Sequence, residues 1–423
     1  MERVIKIFAK AIITLFCLSL FASVIQHVSQ GGTRYGFLTE PIRVFSSVPG
    51  YFKEAVSAIN DVPKTFLKTP DNFKPINELK EDALALISYT NDLNGRSVKL
   101  LNFRNDKTLF EWILPNSFEE HHRVLNPILL NNKSLCYSIT GYSGLKKIDS
   151  LGKLLWEQSG IIAHHSLNIG ENGSLWMCAF KKGDDDAINF DAVFNSGEGA
   201  HPFLDNLIVQ IDENNGEILF EKSLTEIFKE NNLLNLLKKT HNLQDPYHTN
   251  DIEPVLENSA TAQIGDLYVS IRHLSLIIHY RPSSNEVLNL IEGPFSGQHD
   301  VDILNDSIIS IFNNNVIIGV FDDLQKKNSE SPINVDLSNS SILSYNTISN
   351  VFTPLYDSLF NAYSIFTGTE GLHQVFDQNK TFIEEQNSGF LWIIKDNTVI
   401  YKNVLGSHIE GYHHLPNWIR IIE

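Results

Sequence analysis

Six histidine-bearing segments recur along this 423-residue chain, and their spacing constrains the fold more than any other feature. They run through Glu120-His121-His122, Ala163-His164-His165, Tyr247-His248-Thr249, Gln298-His299-Asp300, Gly371-Leu372-His373 and Tyr412-His413-His414. After most of them come a mixed strand, a polar turn such as Asn172-Gly173 or Gly265-Asp266, and an apolar strand such as Ser134–Ile139 or Leu267–Ile271. A unit of this size cannot bury its own apolar face, so repeated copies must stack on one another.

A second signal does not depend on where the histidines fall. Leu145–Trp156, Leu207–Phe220, Ile277–Leu288 and Ile342–Phe352 each read as a strand, a tight polar turn and a strand. That is the outer hairpin of a four-stranded blade. The last repeat, with its hairpin at Leu391–Val404, is followed by a single strand near the C-terminus. Three strands remain unplaced at the other end: Ala83–Tyr89, Ser97–Phe103 and Leu109–Leu114. Joining both sets in one sheet removes two open edges. The expected fold is therefore all-β, a six-bladed β-propeller closed by its terminal strands. On such a ring the recurring histidines would converge on the axis.

The chain divides into an N-terminal segment at 1–28, a Pro-rich tether at 29–81 and the propeller at 82–423. Arg3, Lys6 and Lys10 precede an apolar run from Ala11 to Ile25. Basic then apolar is the order of an export signal, and the run is nearly long enough for a membrane anchor. An uncleaved anchor, with the propeller exported to the periplasm or another extracytoplasmic space, is the reading preferred here. Within the tether, Tyr51–Asn60 has the spacing of a short amphipathic helix. Two insertions interrupt the repeats. Lys181–Gln244 carries an acidic Gly-rich loop, one outer hairpin and a helix opened by the Ser223-x-x-Glu226 capping box. Phe321–Leu337 reads as a surface loop. The formal charge of −17 excludes nucleic acid and anionic bilayers as main partners, since both select basic surfaces. Cys136 and Cys178 fall at matching strand positions in adjacent repeats, too far apart to bridge.

Among the histidines, those with polar company carry the chemistry. His248 and Asn250 share one strand face by period two. The strand Leu267–His273 carries Arg272 deep into an otherwise apolar run, where a guanidinium demands an anionic partner or ligand. For His122 and His414 a hydrogen-bonded core or turn role is the stronger reading.

His248-x-Asn250, Ser270-Ile-Arg272, Gln298-His299-Asp300 ahead of Ile311-Phe-Asn313, and Glu384-Glu-Gln-Asn-Ser-Gly389 occur in this order between Trp156 and Trp392. In that order and spacing the chain resembles the bacterial arylsulfate sulfotransferases, periplasmic propeller enzymes that need no nucleotide donor. The resemblance implies an aryl sulfate donor, a phenolic acceptor and no cofactor. It implies that His299 is the sulfated nucleophile and Arg272 the arginine that activates it. His248 and Asn250 would bind sulfate, and His165 of the His164-His165 pair would be the remaining catalytic histidine. His164, His373 and His122 would line the substrate cavity. The chain has Asn313-Asn314 where that family usually shows Asp-Asn, and no cysteine pair matching the disulfide of some members. Two other readings use the same residues: a metal centre held by the histidines with Asp300, Asp302 or Glu253, and a non-catalytic binding or scaffold propeller.

Overall fold

The computed structural model describes residues 2–29, 38, 41, 62 and 65–422, except 94, 115–121, 141–142, 182–187, 190–201, 317–338 and 378. The expected helix at Tyr51–Asn60, the acidic Gly-rich loop, the loop at Phe321–Leu337 and His121 lie outside the described residues. The chain forms two units, Met1–Lys64 and Thr65–Glu423.

In the first unit a helix spans Glu2–Ser29. Among the described residues, no helix is long and apolar enough to cross a membrane. Its apolar run, Ala11 to Ile25, is interrupted by Thr14, Ser19 and Ser23. A span needs about 20 apolar residues. The expected membrane anchor therefore finds no support.

The second unit is all-β, built from antiparallel sheets. Pro416–Ile422 pairs with Leu84–Thr90, which continues to Arg96–Asn102 and Lys107–Ile113. The last strand of the chain thus completes a sheet begun by its first long strands, in the register Pro416↔Tyr89 to Ile422↔Leu84. The next sheet runs Val124–Leu129, Leu135–Ile139, Ser143–Ile148, Leu154–Ile169, Ser174–Lys181, Asn206–Asp212 and Ile218–Ser223. Its long strand, Leu154–Ile169, pairs first with Ser143–Ile148 and then with Ser174–Lys181, so it serves two four-stranded groups. Then come Thr249–Pro254 through Glu286–Ile291, and His299–Asn305 through Val351–Leu355. The last sheet begins at Leu372–Phe376, runs out to Thr398–Gly406, and is extended by Tyr412–His414 and Phe66–Lys68. All four hairpins read from the sequence are present as antiparallel pairs.

The apolar cores lie between neighbouring sheets. One packs Trp176, Cys178 and Ile208 against Val269, Ile271 and Tyr280; another packs Tyr268 and Ile277 against Ile309, Ile311 and Tyr345. Ser223 accepts a hydrogen bond from the Glu226 backbone, as its capping box requires, and the helix Leu224–Glu230 turns Ile227 and Phe228 into the first of these cores beside Tyr247. That packing anchors the entry to Thr249–Pro254. Cys136 and Cys178 are free thiols.

Six strands stand first in their four-stranded groups: Val124–Leu129, the second half of Leu154–Ile169, Thr249–Pro254, His299–Asn305, Leu372–Phe376 and Pro416–Ile422. Each contacts the next in this order, and the last contacts the first.

Candidate active site

Near the start of most of these strands a non-glycine residue has a positive φ: Asn126 at 34°, His165 at 50°, His248 at 50°, Asp300 at 29° and Trp418 at 43°. The ladder shifts register beside several of them, between Leu125 and Ile128, Thr249 and Asp251, His299 and Val301, and Asn417 and Arg420. Such bulges re-aim side chains, and left-handed residues at them cost of order 1–3 kcal/mol each. The effect is plain at His164-His165. On a regular strand these neighbours would face opposite ways. Here their ring centroids lie 4.1 Å apart, and both lie within 5.0 Å of the His248 ring.

His165 Nε2 and His248 Nε2 share a hydrogen bond of 3.0 Å. Behind His248, Asp245 holds Nδ1 at 2.5 Å and also accepts from the His248 backbone at 3.1 Å. Burial works to raise the Asp245 carboxyl, but the hydrogen bond and charge of His248 outweigh it and hold this group well below the usual range. Asp245 is therefore a carboxylate, placed to stabilise an imidazolium at His248. The His273 ring stacks on His248 at 4.5 Å. His273 Nδ1 donates to the Asp245 carbonyl at 2.6 Å, leaving Nε2 to accept from the Arg272 guanidinium at 3.0 Å. Burial, then the charge of His248, push His273 down to about 3, so it positions Arg272 as a neutral ring.

Arg272 is buried, in the turn Arg272–Leu274 just after strand Leu267–Ile271 rather than within the strand. Its backbone N–H donates to the His248 carbonyl at 3.1 Å, which ties the two residues together. Its charge reaches His299: burial first, then Arg272, push that imidazole well below its ordinary range, against the opposing hydrogen bond to Asn314. His165 is likewise pushed well down, by burial and then by His164, His248, His299 and Arg272. The ring centroids of His165 and His299 lie 5.7 Å apart.

His165, His299 and Asn250 line one cavity of about 260 Å³ with Asn126, Glu370, Trp418 and Arg420. Asn250 Nδ2 donates to the Gln298 carbonyl at 2.7 Å, and its buried Oδ1 has no partner. Only the amide nitrogen can serve a carbonyl, so Asn250 offers the cavity an acceptor. That suits a hydroxyl donor better than sulfuryl oxygens. Arg123 pairs with both carboxylate oxygens of Glu370, donates to Asn417, and lies 5.3 Å over the Trp418 ring.

The structure thus places His165, His299 and Asn250 on the cavity, with His248, Arg272 and His164 packed behind them and outside its lining. The remaining histidines differ in what they meet, and His373 lines the cavity as expected. His122 is absent from the described cavity lining, and its carbonyl accepts from Arg96. His373 lines the cavity but is engaged, with Nε2 2.7 Å from Ser310 Oγ and Nδ1 2.7 Å from Asp300 Oδ2, the latter contact off hydrogen-bond direction. His414 belongs to Tyr412–His414, outside the first-strand set, and sits against Asp92, Phe66 and Tyr89. On the terminal first strand the cavity is met by Trp418 instead, 6.2 Å from His165. The histidines are therefore not six equivalents. Asp245, His273, Asn314, Arg123, Glu370 and Trp418 escaped the sequence reading. Asp245, three residues before His248, and His273, next to Arg272, were signals within reach.

Three groups of described residues bring possible metal-binding atoms together: His164, His165 and His248; Asp245, His248 and His273; and Asp300, Asp302 and His373. In the second, both nitrogens of His273 are already engaged, one by a guanidinium that repels a dication.

The family model for arylsulfotransferase (ASST) matches residues 126–400, more than half of the chain. Comparison with curated proteins finds no match. Among solved structures, one similar chain is a protein of unknown function from Bacteroides caccae, at 11% identity and TM-score 0.47, covering 76% of this chain and 93% of that one. Another is a catalytically inactive virginiamycin B lyase from Staphylococcus aureus with quinupristin, at 12% identity and TM-score 0.41, covering 82% and 90%. The chain belongs to the arylsulfotransferase family.

Proposed function

We propose that this arylsulfotransferase is an exported six-bladed β-propeller that moves a sulfuryl group from an aryl sulfate to a phenolic acceptor through a sulfo-histidine at His299. The closed cycle of contacts among the six first strands supports the six-bladed reading. The basic residues ahead of the apolar N-terminal run support export.

The observation that carries the mechanism is a neutral imidazole at His299 within the field of Arg272 and beside the Asp245–His248–His165 relay. Sulfuryl transfer resembles phosphoryl transfer, where the protein mainly positions groups and stabilises charge on the equatorial oxygens. Arg272 supplies that charge. The His299 Nε2 lone pair forms the N–S bond as the ester S–O bond breaks, and the bonding pair leaves on the phenolic oxygen. A phenolate of pKa about 10, as for tyrosine, needs a proton to leave well. The Asp245–His248–His165 relay gives it that proton through His165, the member that lines the cavity. The incoming phenol returns a proton to the relay, and its oxygen takes the sulfuryl group from His299. The cycle closes with both histidines restored.

The test is to incubate the protein with a chromogenic aryl sulfate and no acceptor, then map sulfated peptides by mass. One sulfuryl group on His299 is expected, discharged by added phenol, and none in His299→Ala. Turnover by His299→Ala at the wild-type rate would end the covalent mechanism.

A further inference from the structure

We propose that Asn314 is a positioning residue that locks His299 in the Nδ1–H tautomer and so keeps the ring's lone pair on Nε2, where the Glu370 N–H meets it until a sulfuryl group takes its place. The kinetic consequence rests on the sulfuryl-transfer reading above; the tautomer itself does not. Asn314 is fully buried, at the end of the strand that pairs with His299–Asn305. Its amide nitrogen faces two backbone carbonyls, Thr367 at 2.8 Å and Glu370 at 2.6 Å. Carbonyls only accept, so the amide group must point its NH2 that way. Its Oδ1 is thereby turned to His299 Nδ1 at 2.7 Å. An amide oxygen only accepts, so the proton must sit on Nδ1. The other ring nitrogen confirms this assignment, because Glu370 N–H donates to His299 Nε2 at 3.2 Å and requires a lone pair there.

The same amide therefore fixes both the ring and the segment that meets its other side. Asn387 holds that segment as well, its Oδ1 accepting from Gly368 N–H at 2.8 Å and from the Thr367 hydroxyl at 2.9 Å. An unconstrained imidazole exchanges between tautomers, and the Nε2–H form has no lone pair aimed at the sulfuryl group.

The experiment uses the full chain with 15N-labelled histidine and long-range 1H–15N NMR of the imidazole rings, with His299 assigned by its loss in His299→Gln. Wild type is expected to show His299 as the neutral Nδ1–H form at pH 7. Asn314→Asp keeps an acceptor at Nδ1 and should keep the proton there. Asn314→Leu removes it and should release a mixture of tautomers or the Nε2–H form. Losing one hydrogen bond of about 1 kcal/mol should slow single-turnover sulfation of His299 roughly five- to tenfold in Asn314→Leu. A packing role alone would not move the tautomer. An Nε2–H or mixed His299 in wild type overturns the proposal whether or not the variants fold, and so does an unchanged tautomer in a folded Asn314→Leu. If wild type shows the Nδ1–H form but is never sulfated, the tautomer lock stands and the sulfotransferase reading fails.

Discussion

Replacing Asp245 by asparagine separates proton donation from sulfuryl binding. The variant keeps the size of the side chain but removes the negative charge 2.5 Å from His248 Nδ1. Asn206 Nδ2 and the His248 N–H both donate to Asp245 Oδ1, at 3.2 and 3.1 Å, so the asparagine keeps its oxygen there and turns its NH2 to His248 Nδ1, which must then accept. A hydrogen bond to a charged group is worth about 1.5–3 kcal/mol. Because this charge stabilises the imidazolium and not the neutral ring, its loss raises the cost of protonating His248 by that amount. At 1.36 kcal/mol per decade, transfer from an unactivated phenyl sulfate should slow by roughly 10- to 150-fold. Transfer from an electron-poor aryl sulfate, whose phenolate leaves without a proton, should change little. The assay is steady-state kcat/KM across aryl sulfates of graded leaving-group acidity, with one acceptor at saturation. Wild type should show a shallow dependence and Asp245→Asn a steep one. Equal losses for all donors would refute the relay, and Asp245 would then serve only to hold the His248 ring in place.

Two further outcomes are expected. Arg272→Lys should lose most activity while a chelator changes nothing, since an ammonium keeps the charge but not the two-pronged contact with sulfuryl oxygens; loss of turnover on chelation alone would favour a metal centre. Glu384, whose Oε2 accepts from Ile419 N–H at 2.8 Å, is pushed up to about 8 by burial. An acid raised on folding binds more protons folded than unfolded, so its contribution to stability falls between its unfolded value near 4.3 and about 8. Thermal unfolding should show Tm declining from pH 6 to 8 less steeply in Glu384→Gln than in wild type.

Much of the fold was legible because outer hairpins obey local rules: apolar alternation and a polar turn name the pair without reference to the rest of the chain. The closure of Pro416–Ile422 onto Leu84–Thr90 followed from the cost of open edges. The site was less legible. His165, His248, Asn250, Arg272 and His299 could be named, but strand alternation predicts that His164 and His165 diverge, and a left-handed residue brings them together instead. Glu370 reaches His299 from a distant segment, so no spacing in the sequence announces it. The histidine count failed for a related reason. Trp418 meets the cavity on the terminal strand while His414 keeps the core role read for it, because the chain spends Tyr412–His414 extending the neighbouring sheet before that strand begins.

The bulge after His299 also sends neighbouring side chains to different partners. His299 turns to Asn314, whereas Asp300 accepts from the His373 backbone at 2.7 Å. The same cavity is thus lined by imidazoles and by Asp251, Glu253, Asp300 and Asp302, with Arg420 among them. Burial, then mutual repulsion, raise most of these carboxyls: Asp300 is pushed up to about 7, chiefly by burial, and Asp302 to about 8, by burial and the charge of Asp300. Groups raised in this way are neutral below those values and charged above them. An aryl sulfate is an anion, so the cavity should accept it best while the carboxyls hold their protons. A unit charge about 8 Å from the sulfate, at an effective dielectric of about 20, is worth about 2 kcal/mol. KM for the donor should therefore climb about tenfold or more between pH 6.5 and 9, with kcat far less affected. Asp302→Asn should flatten part of that climb. A KM that stays level across this range, or a rise that survives intact in Asp302→Asn, would mean that the acidic wall does not face the bound donor.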